Sequence, residues 1–86
     1  MIHQNYQGNP LVEYLQKEGL MPGQFAVLAR VDQSKVYDVM RGMVQTFPQS
    51  YVDAVDERSG PGTGAKIREA YSYYREDLRA QIQQVK

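Results

Sequence analysis

Four side chains that can form hydrogen bonds lie close together in the sequence, near the middle of the chain. They are Gln33, Ser34, Tyr37 and Asp38. Because an α-helix turns about every 3.6 residues, these four positions share one side of a helix. A glutamine amide can form two bonds with adenine, serine bonds less selectively, and aspartate accepts a bond from cytosine. This side of the segment therefore has the chemistry needed to contact the edges of nucleic-acid bases.

Basic and amide side chains flank these four residues. They are Arg30, Lys35, Arg41 and Gln45. Such groups bind phosphates, which positions a protein on DNA without reading its sequence. The whole chain has ten basic and ten acidic residues, so its formal net charge is zero. Any binding of nucleic acid must therefore depend on locally placed charge and not on bulk charge.

Other residue patterns do not favour catalysis or metal binding. The chain has no cysteine, and its one histidine is His3. The glycine-rich stretch 59–64 lacks the Gly-Lys-Ser/Thr ending of a phosphate-binding loop. Asp53 and Asp56 lie three residues apart on a polar face, which we interpret as solvated surface. With no nucleophile placed beside a base, the sequence predicts no enzyme activity, no metal site and no cofactor.

Glycine and proline divide the chain into predicted helices. These begin near Pro10, Pro22, Gln33, Thr46 and Ala65, and the last one ends near Gln84. Asn9 can cap the first helix, Gly19 can end it, and Asp32 can cap the third. No segment alternates apolar and polar residues as a strand does. The sequence predicts one all-α, compact domain of four to five helices, the C-terminal helix being the longest.

The second and third helices are joined by three residues, 30–32, which is the spacing of a helix-turn-helix. The apolar positions predicted to hold the two helices together are Phe25, Ala26, Leu28, Val31, Val36 and Val39. Burial of these residues leaves the opposite face of the third helix exposed. Such a helix fits the major groove of DNA.

Residues 11–42 resemble the lambda-repressor-like helix-turn-helix family, which includes phage Cro proteins and repressors. The run 25–42 fits the family pattern without a gap, with Gln33-Ser34 opening the third helix and Arg41-Gly42 closing it. The segment 47–55 is similar to the fourth helix of the family, so the resemblance covers about residues 10–60. It implies a sequence-specific transcriptional regulator, such as a phage-type repressor, that binds a double-stranded DNA operator.

Two positions depart from the family pattern. Arg30 stands at the corner that is usually glycine, where a left-handed backbone costs arginine about 1 kcal/mol. Either the turn is altered, or Arg30 points to a phosphate. Pro22 stands where the family often has a glutamine that touches the DNA backbone, so that contact is not expected here.

The fifth predicted helix carries an apolar stripe and a basic stripe. The apolar stripe contains Ile67, Tyr71, Tyr74, Leu78, Ile82 and Val85. The basic stripe contains Arg68, Arg75, Arg79 and Lys86. Two interpretations stay open: the first five apolar residues form a dimer interface, or the helix docks on its own domain with its arginines over the edge of the core. The stretch 59–64 is predicted to be a flexible linker.

Together these features predict a single-domain regulator that acts as a homodimer, with a helix-turn-helix core over 10–58 and a C-terminal helix over 65–84. We expect it in the cytoplasm, since no apolar run is long enough to cross a membrane and no signal peptide opens the sequence. The alternative is a regulator of another protein, such as an antirepressor or modulator, that uses this fold without reading DNA. Asp32 and Asp38 favour that alternative, and an antitoxin-like autoregulator is a third possibility.

Overall fold

The computed structural model describes residues 8–84, and every regular element in that range is an α-helix. The helices are α1 (Pro10–Glu18), α2 (Pro22–Ala29), α3 (Gln33–Met40), α4 (Gln49–Ser59) and α5 (Thr63–Gln84). The predicted all-α domain with a long C-terminal helix is confirmed. His3, Val85 and Lys86, which entered the sequence argument, lie outside the described residues.

Asn9 begins α1 as predicted, and it also contacts the end of α3. Its Oδ1 accepts hydrogen bonds from the backbone N–H groups of Leu11 and Val12, at 2.9 and 3.2 Å. Its Nδ2 donates to the carbonyl oxygens of Val39 and Met40, both at 2.9 Å. The buried amide thus makes all four hydrogen bonds available to it. A single side chain therefore ties the start of α1 to the last turn of α3.

The centre of the core is a chain of aromatic rings that joins α2, α4, α5 and the loop before α4. Phe25 lies 5.3 Å from Tyr51, and Phe47 lies 5.5 Å from Tyr51, both in edge-to-face arrangements. Phe47 also packs against Tyr71 at 5.6 Å. Such ring pairs stabilise a core beyond the apolar area that they bury.

The stretch 59–64 does not form the linker that the sequence predicts. α4 continues to Ser59 and α5 already begins at Thr63, so three residues form a tight turn between them. The N–H of Gly64 donates to the Asp56 carboxylate at 2.7 Å. A Cβ atom at Gly64 would lie 2.8 Å from the Cα of Val52, closer than atoms can pack. Glycine is needed here because it lets α5 approach α4 closely.

α5 docks on its own domain, which is one of the two interpretations left open by the sequence. Tyr71 and Tyr74 are buried in the core, and the Tyr71 hydroxyl donates to the Val44 carbonyl at 2.6 Å. The assignment of these two tyrosines to a dimer interface is therefore corrected. The prediction for Leu28 also fails, because its side chain is 43% exposed. Within residues 8–84, no helix has both the length and the apolar character needed to cross a bilayer.

Candidate nucleic-acid interface

The turn between α2 and α3 keeps the backbone shape that glycine usually provides. Arg30 ends α2 with φ 61° and ψ 45°, in the left-handed region. The N–H of Val31 then bonds to the carbonyl of Ala26 at 3.0 Å, which closes the end of α2. Of the two outcomes considered for this corner, an altered turn is therefore excluded. The arginine adopts the strained conformation itself, and its side chain is exposed.

One side of α3 is buried against the core, and the opposite side is exposed. Val36 and Val39 are buried in the core, as predicted, and Val31 packs against it at the corner. The first turn of α3 carries Gln33 and Ser34 on its exposed side. Because the buried valines fix the rotation of the helix, all four positions predicted to read bases face away from the core, although Tyr37 and Asp38 are half-buried.

The Gln33 side chain lies between α2 and the next turn of α3. Its Nε2 is 3.5 Å from the Tyr37 hydroxyl, which is a long hydrogen bond. A Cβ atom at Gly23 would lie 3.3 Å from Gln33 Oε1, so the amide rests against the first turn of α2. The amide is thus placed by two neighbours, while its weak bond to Tyr37 leaves it able to exchange partners.

Asp38 and Arg41, two of the predicted DNA-contacting residues, bind each other. Arg41 Nη2 donates to Asp38 Oδ1 at 3.0 Å, and both side chains are partly exposed. The arginine therefore neutralises the carboxylate that would otherwise repel phosphates at this end of α3. An exposed pair of this kind contributes at most about 1 kcal/mol, so the two groups can separate at low cost. Asp32 begins α3 as predicted, but its side chain makes no capping hydrogen bond.

The remaining predicted phosphate contacts lie in the turn before α3, in the first turn of α3 and in the loop after it. Arg30 and Lys35 are exposed, and neither forms an ion pair with another described residue. Gln45 is also exposed, in the loop after α3. Arg75 of α5 holds this loop, since its Nε donates to the Gly42 carbonyl at 3.1 Å and its Nη1 to the Gln45 carbonyl at 3.5 Å. The sequence placed Arg75 in a basic stripe and gave no sign of these loop contacts.

The other predicted site residues lie on α5. Ile67 and Leu78 are half-buried and pack against the core, whereas Ile82 is 65% exposed. Arg75, Leu78, Arg79 and Ile82 surround a shallow hollow near the C-terminal end of the helix. No three acidic or histidine side chains of the described range come together in a way that could hold a metal ion.

Comparison with known proteins identifies no relative of this chain. The chain matches no family model, no curated protein and no solved structure. The resemblance of residues 11–42 to the lambda-repressor-like family therefore stays a prediction from the sequence.

Proposed function

We propose that this protein is a sequence-specific, double-stranded-DNA-binding transcriptional regulator of the phage-repressor type. One observation supports this most: the first turn of α3 exposes Gln33 and Ser34, while Val36 and Val39 anchor the helix from the opposite side. A recognition helix needs both properties. It must enter the major groove without moving against its own domain, and its first turn must carry hydrogen-bonding side chains.

The base-reading step uses groups whose present bonds are weak. The Gln33 amide can leave its 3.5 Å contact with Tyr37 and form two bonds with adenine. Asp38 can accept a bond from cytosine when Arg41 turns away to a phosphate. This exchange exposes no buried charge, because the Asp38–Arg41 pair is already partly in solvent.

Two further phosphate contacts come from cations that form no ion pair within the described chain. Arg30 lies in the turn before α3 and Lys35 in its first turn, and neither forms an ion pair with a described residue. Local cations of this kind release counterions when they meet the DNA backbone, which makes the affinity depend on salt. The zero net charge of the chain is compatible with this, since the recognition segment 21–45 has three basic and two acidic residues.

We propose further that two copies act together through the end of α5. Tyr71 and Tyr74 belong to the core, so the contact falls to Ile82 and the outer side of Leu78. Pairing of two copies would present two recognition helices to half-sites about 34–36 Å apart.

A salt titration of duplex binding tests the DNA-binding proposal. The change is Lys35→Gln, with Lys66→Gln as the matched control, because Lys66 is exposed on α5 away from α3. By fluorescence anisotropy, Lys35→Gln should weaken binding and lower the slope of log affinity against log salt by about one. No duplex binding at low salt, or equal effects of both changes, contradicts the proposal.

A second function, regulation through another protein, is favoured by the surface of α2. This helix has no charged residue, and Val27 is 76% exposed. An exposed apolar side chain on an uncharged helix is a surface that a partner protein could cover. This function would be favoured if the wild-type protein is folded but binds no duplex.

A further inference from the structure

A groove of about 760 Å³ lies between the end of α2, one side of α3 and the start of α4. We name it the α3–α4 groove. Its walls are mainly apolar, and they include Val27, Val31, Val39, Val44 and Pro48. Sites for small molecules commonly have about this volume, with apolar walls and a few polar groups that orient the ligand. The base-reading side chains Gln33 and Ser34 do not line it.

A hydroxyl without a partner borders this groove. Tyr51 lines it, and its ring is 99% buried in the core. The hydroxyl forms no hydrogen bond with any described residue, whereas the neighbouring Tyr71 hydroxyl donates to a carbonyl at 2.6 Å. No fully buried polar side-chain atom of the described residues lacks a hydrogen-bond partner, so the Tyr51 oxygen is not sealed from solvent and can reach a ligand in the groove. Burial raises the pKa of Tyr51 to about 12, so the group stays a donor at neutral pH.

Two cations also line the groove. Arg30 and Lys35 both line it, and neither forms an ion pair. Asp32 is the one carboxylate among its lining residues, so the lining is net positive. The groove thus offers two cations and one hydroxyl donor around a mainly apolar surface.

We propose that the α3–α4 groove binds a small apolar carboxylate that carries an oxygen acceptor at its far end. The carboxylate contacts Arg30 and Lys35, the apolar body lies on the valines, and the distal oxygen accepts a hydrogen bond from Tyr51. One consequence rests on the proposed function: a ligand that engages Arg30 and Lys35 occupies two phosphate-binding cations, so ligand and DNA compete.

The test uses the full chain and 3-(4-hydroxyphenyl)propionate, followed by ¹H–¹⁵N NMR titration without DNA. Shifts are expected at the groove, including the amides of Val31, Val39 and Val44. Two matched compounds each lack one group: 3-phenylpropionate lacks the distal oxygen and 4-ethylphenol lacks the carboxylate. Loss of the distal oxygen should weaken binding about fivefold, the usual effect of one hydrogen bond.

Three variants assign the contacts. Lys35→Gln should weaken binding about threefold, the effect of one exposed ion pair, while Lys66→Gln should leave it unchanged. Tyr51→Phe should remove the advantage of 3-(4-hydroxyphenyl)propionate over 3-phenylpropionate. Because the hydroxyl has no partner in the free protein, Tyr51→Phe should not lower the Tm. If Tyr51 had only a structural role, Tyr51→Phe would lower the Tm and would not change the preference between the two ligands.

The proposal is overturned if all three compounds bind equally, if the shifts map to another surface, or if Lys35→Gln and Lys66→Gln act alike. A third readout addresses competition: addition of the ligand should lower the anisotropy of a bound duplex. Ligand binding without duplex binding would contradict the proposed function and leave the groove site intact. Duplex binding without ligand binding would contradict the groove site and leave the proposed function intact.

Discussion

The side-chain amide of Asn9 donates a hydrogen bond to the carbonyl of Val39 at 2.9 Å, so the residue that begins α1 also holds the end of α3. The same amide caps α1 through its oxygen. The position of α3 relative to the domain is therefore set at both ends, by the turn at Arg30 and by Asn9. A helix held in this way presents its outer side chains in a defined geometry.

Asn9→Asp tests whether the bonds to α3 carry energy of their own. Aspartate keeps the acceptor that caps α1 but places a carboxylate against the carbonyls of Val39 and Met40, which lose their donor. We expect a loss of about 2–3 kcal/mol in the free energy of unfolding, close to the loss for Asn9→Ala. Urea unfolding of both variants measures this, with Gln16→Ala as an exposed control. A near wild-type Asn9→Asp would show that only the cap of α1 matters.

Arg30→Gly should stabilise the protein. Glycine adopts the left-handed conformation without the strain that arginine bears at φ 61°, a difference of about 1 kcal/mol. Ala70→Gly, at an exposed position within α5, should cost about as much. Thermal unfolding of the two variants should therefore shift the Tm in opposite directions. Shifts of the same sign would mean that the turn is not strained.

Tyr51 should make the protein less stable at high pH. Its pKa rises from 10.0 in the unfolded chain to about 12 in the fold, because burial disfavours the phenolate. The folded state holds the proton more tightly, so this stabilisation is complete below pH 10 and is lost as the pH rises towards 12. Unfolding of the wild type and Tyr51→Phe across this window should show the smaller decrease for the variant. Parallel curves would contradict the assignment.

Much of the fold follows from local signals in the sequence. α1 and α2 begin at the predicted places, because the Asn9 cap and the geometry of Pro22 act over a few residues, and α3 also begins after Asp32 although that side chain makes no capping bond. The structure of the stretch 59–64 was harder to predict. In a sequence, a glycine that makes a linker flexible cannot be distinguished from a glycine that lets two helices pack closely. Only the nearness of Val52, across the turn, shows that Gly64 serves the second purpose.

The candidate site was predictable only in part. The periodicity of buried valines on α3 correctly placed Gln33 and Ser34 outside. The apolar stripe of α5 also followed from periodicity, but a stripe does not indicate which surface covers it. The contacts of Tyr71 and Arg75 with the loop after α3 join residues about thirty positions apart, beyond the reach of local patterns.

The end of α5 should carry the contact between two copies. Ile82→Glu places a charge on the exposed apolar position near Leu78, so it should convert a dimer into a monomer without loss of helix content. Ala80→Glu, on an exposed position of the same helix, is the control. Light scattering and circular dichroism measure the two properties. Truncation of α5 is unsuitable here, because Tyr71 belongs to the core. If the wild type stays monomeric at high concentration, the proposed contact between two copies is contradicted.

Selection of bound duplexes from a random pool, followed by sequencing, tests the central claim most directly. The wild type should enrich one motif, arranged as two half-sites. Gln33→Ala should change the base preference at one position of each half-site, at a cost of about 1–3 kcal/mol, while Lys66→Gln should enrich the wild-type motif. Enrichment of no motif by the wild type, or an unchanged motif and affinity for Gln33→Ala, would contradict the claim that α3 reads DNA.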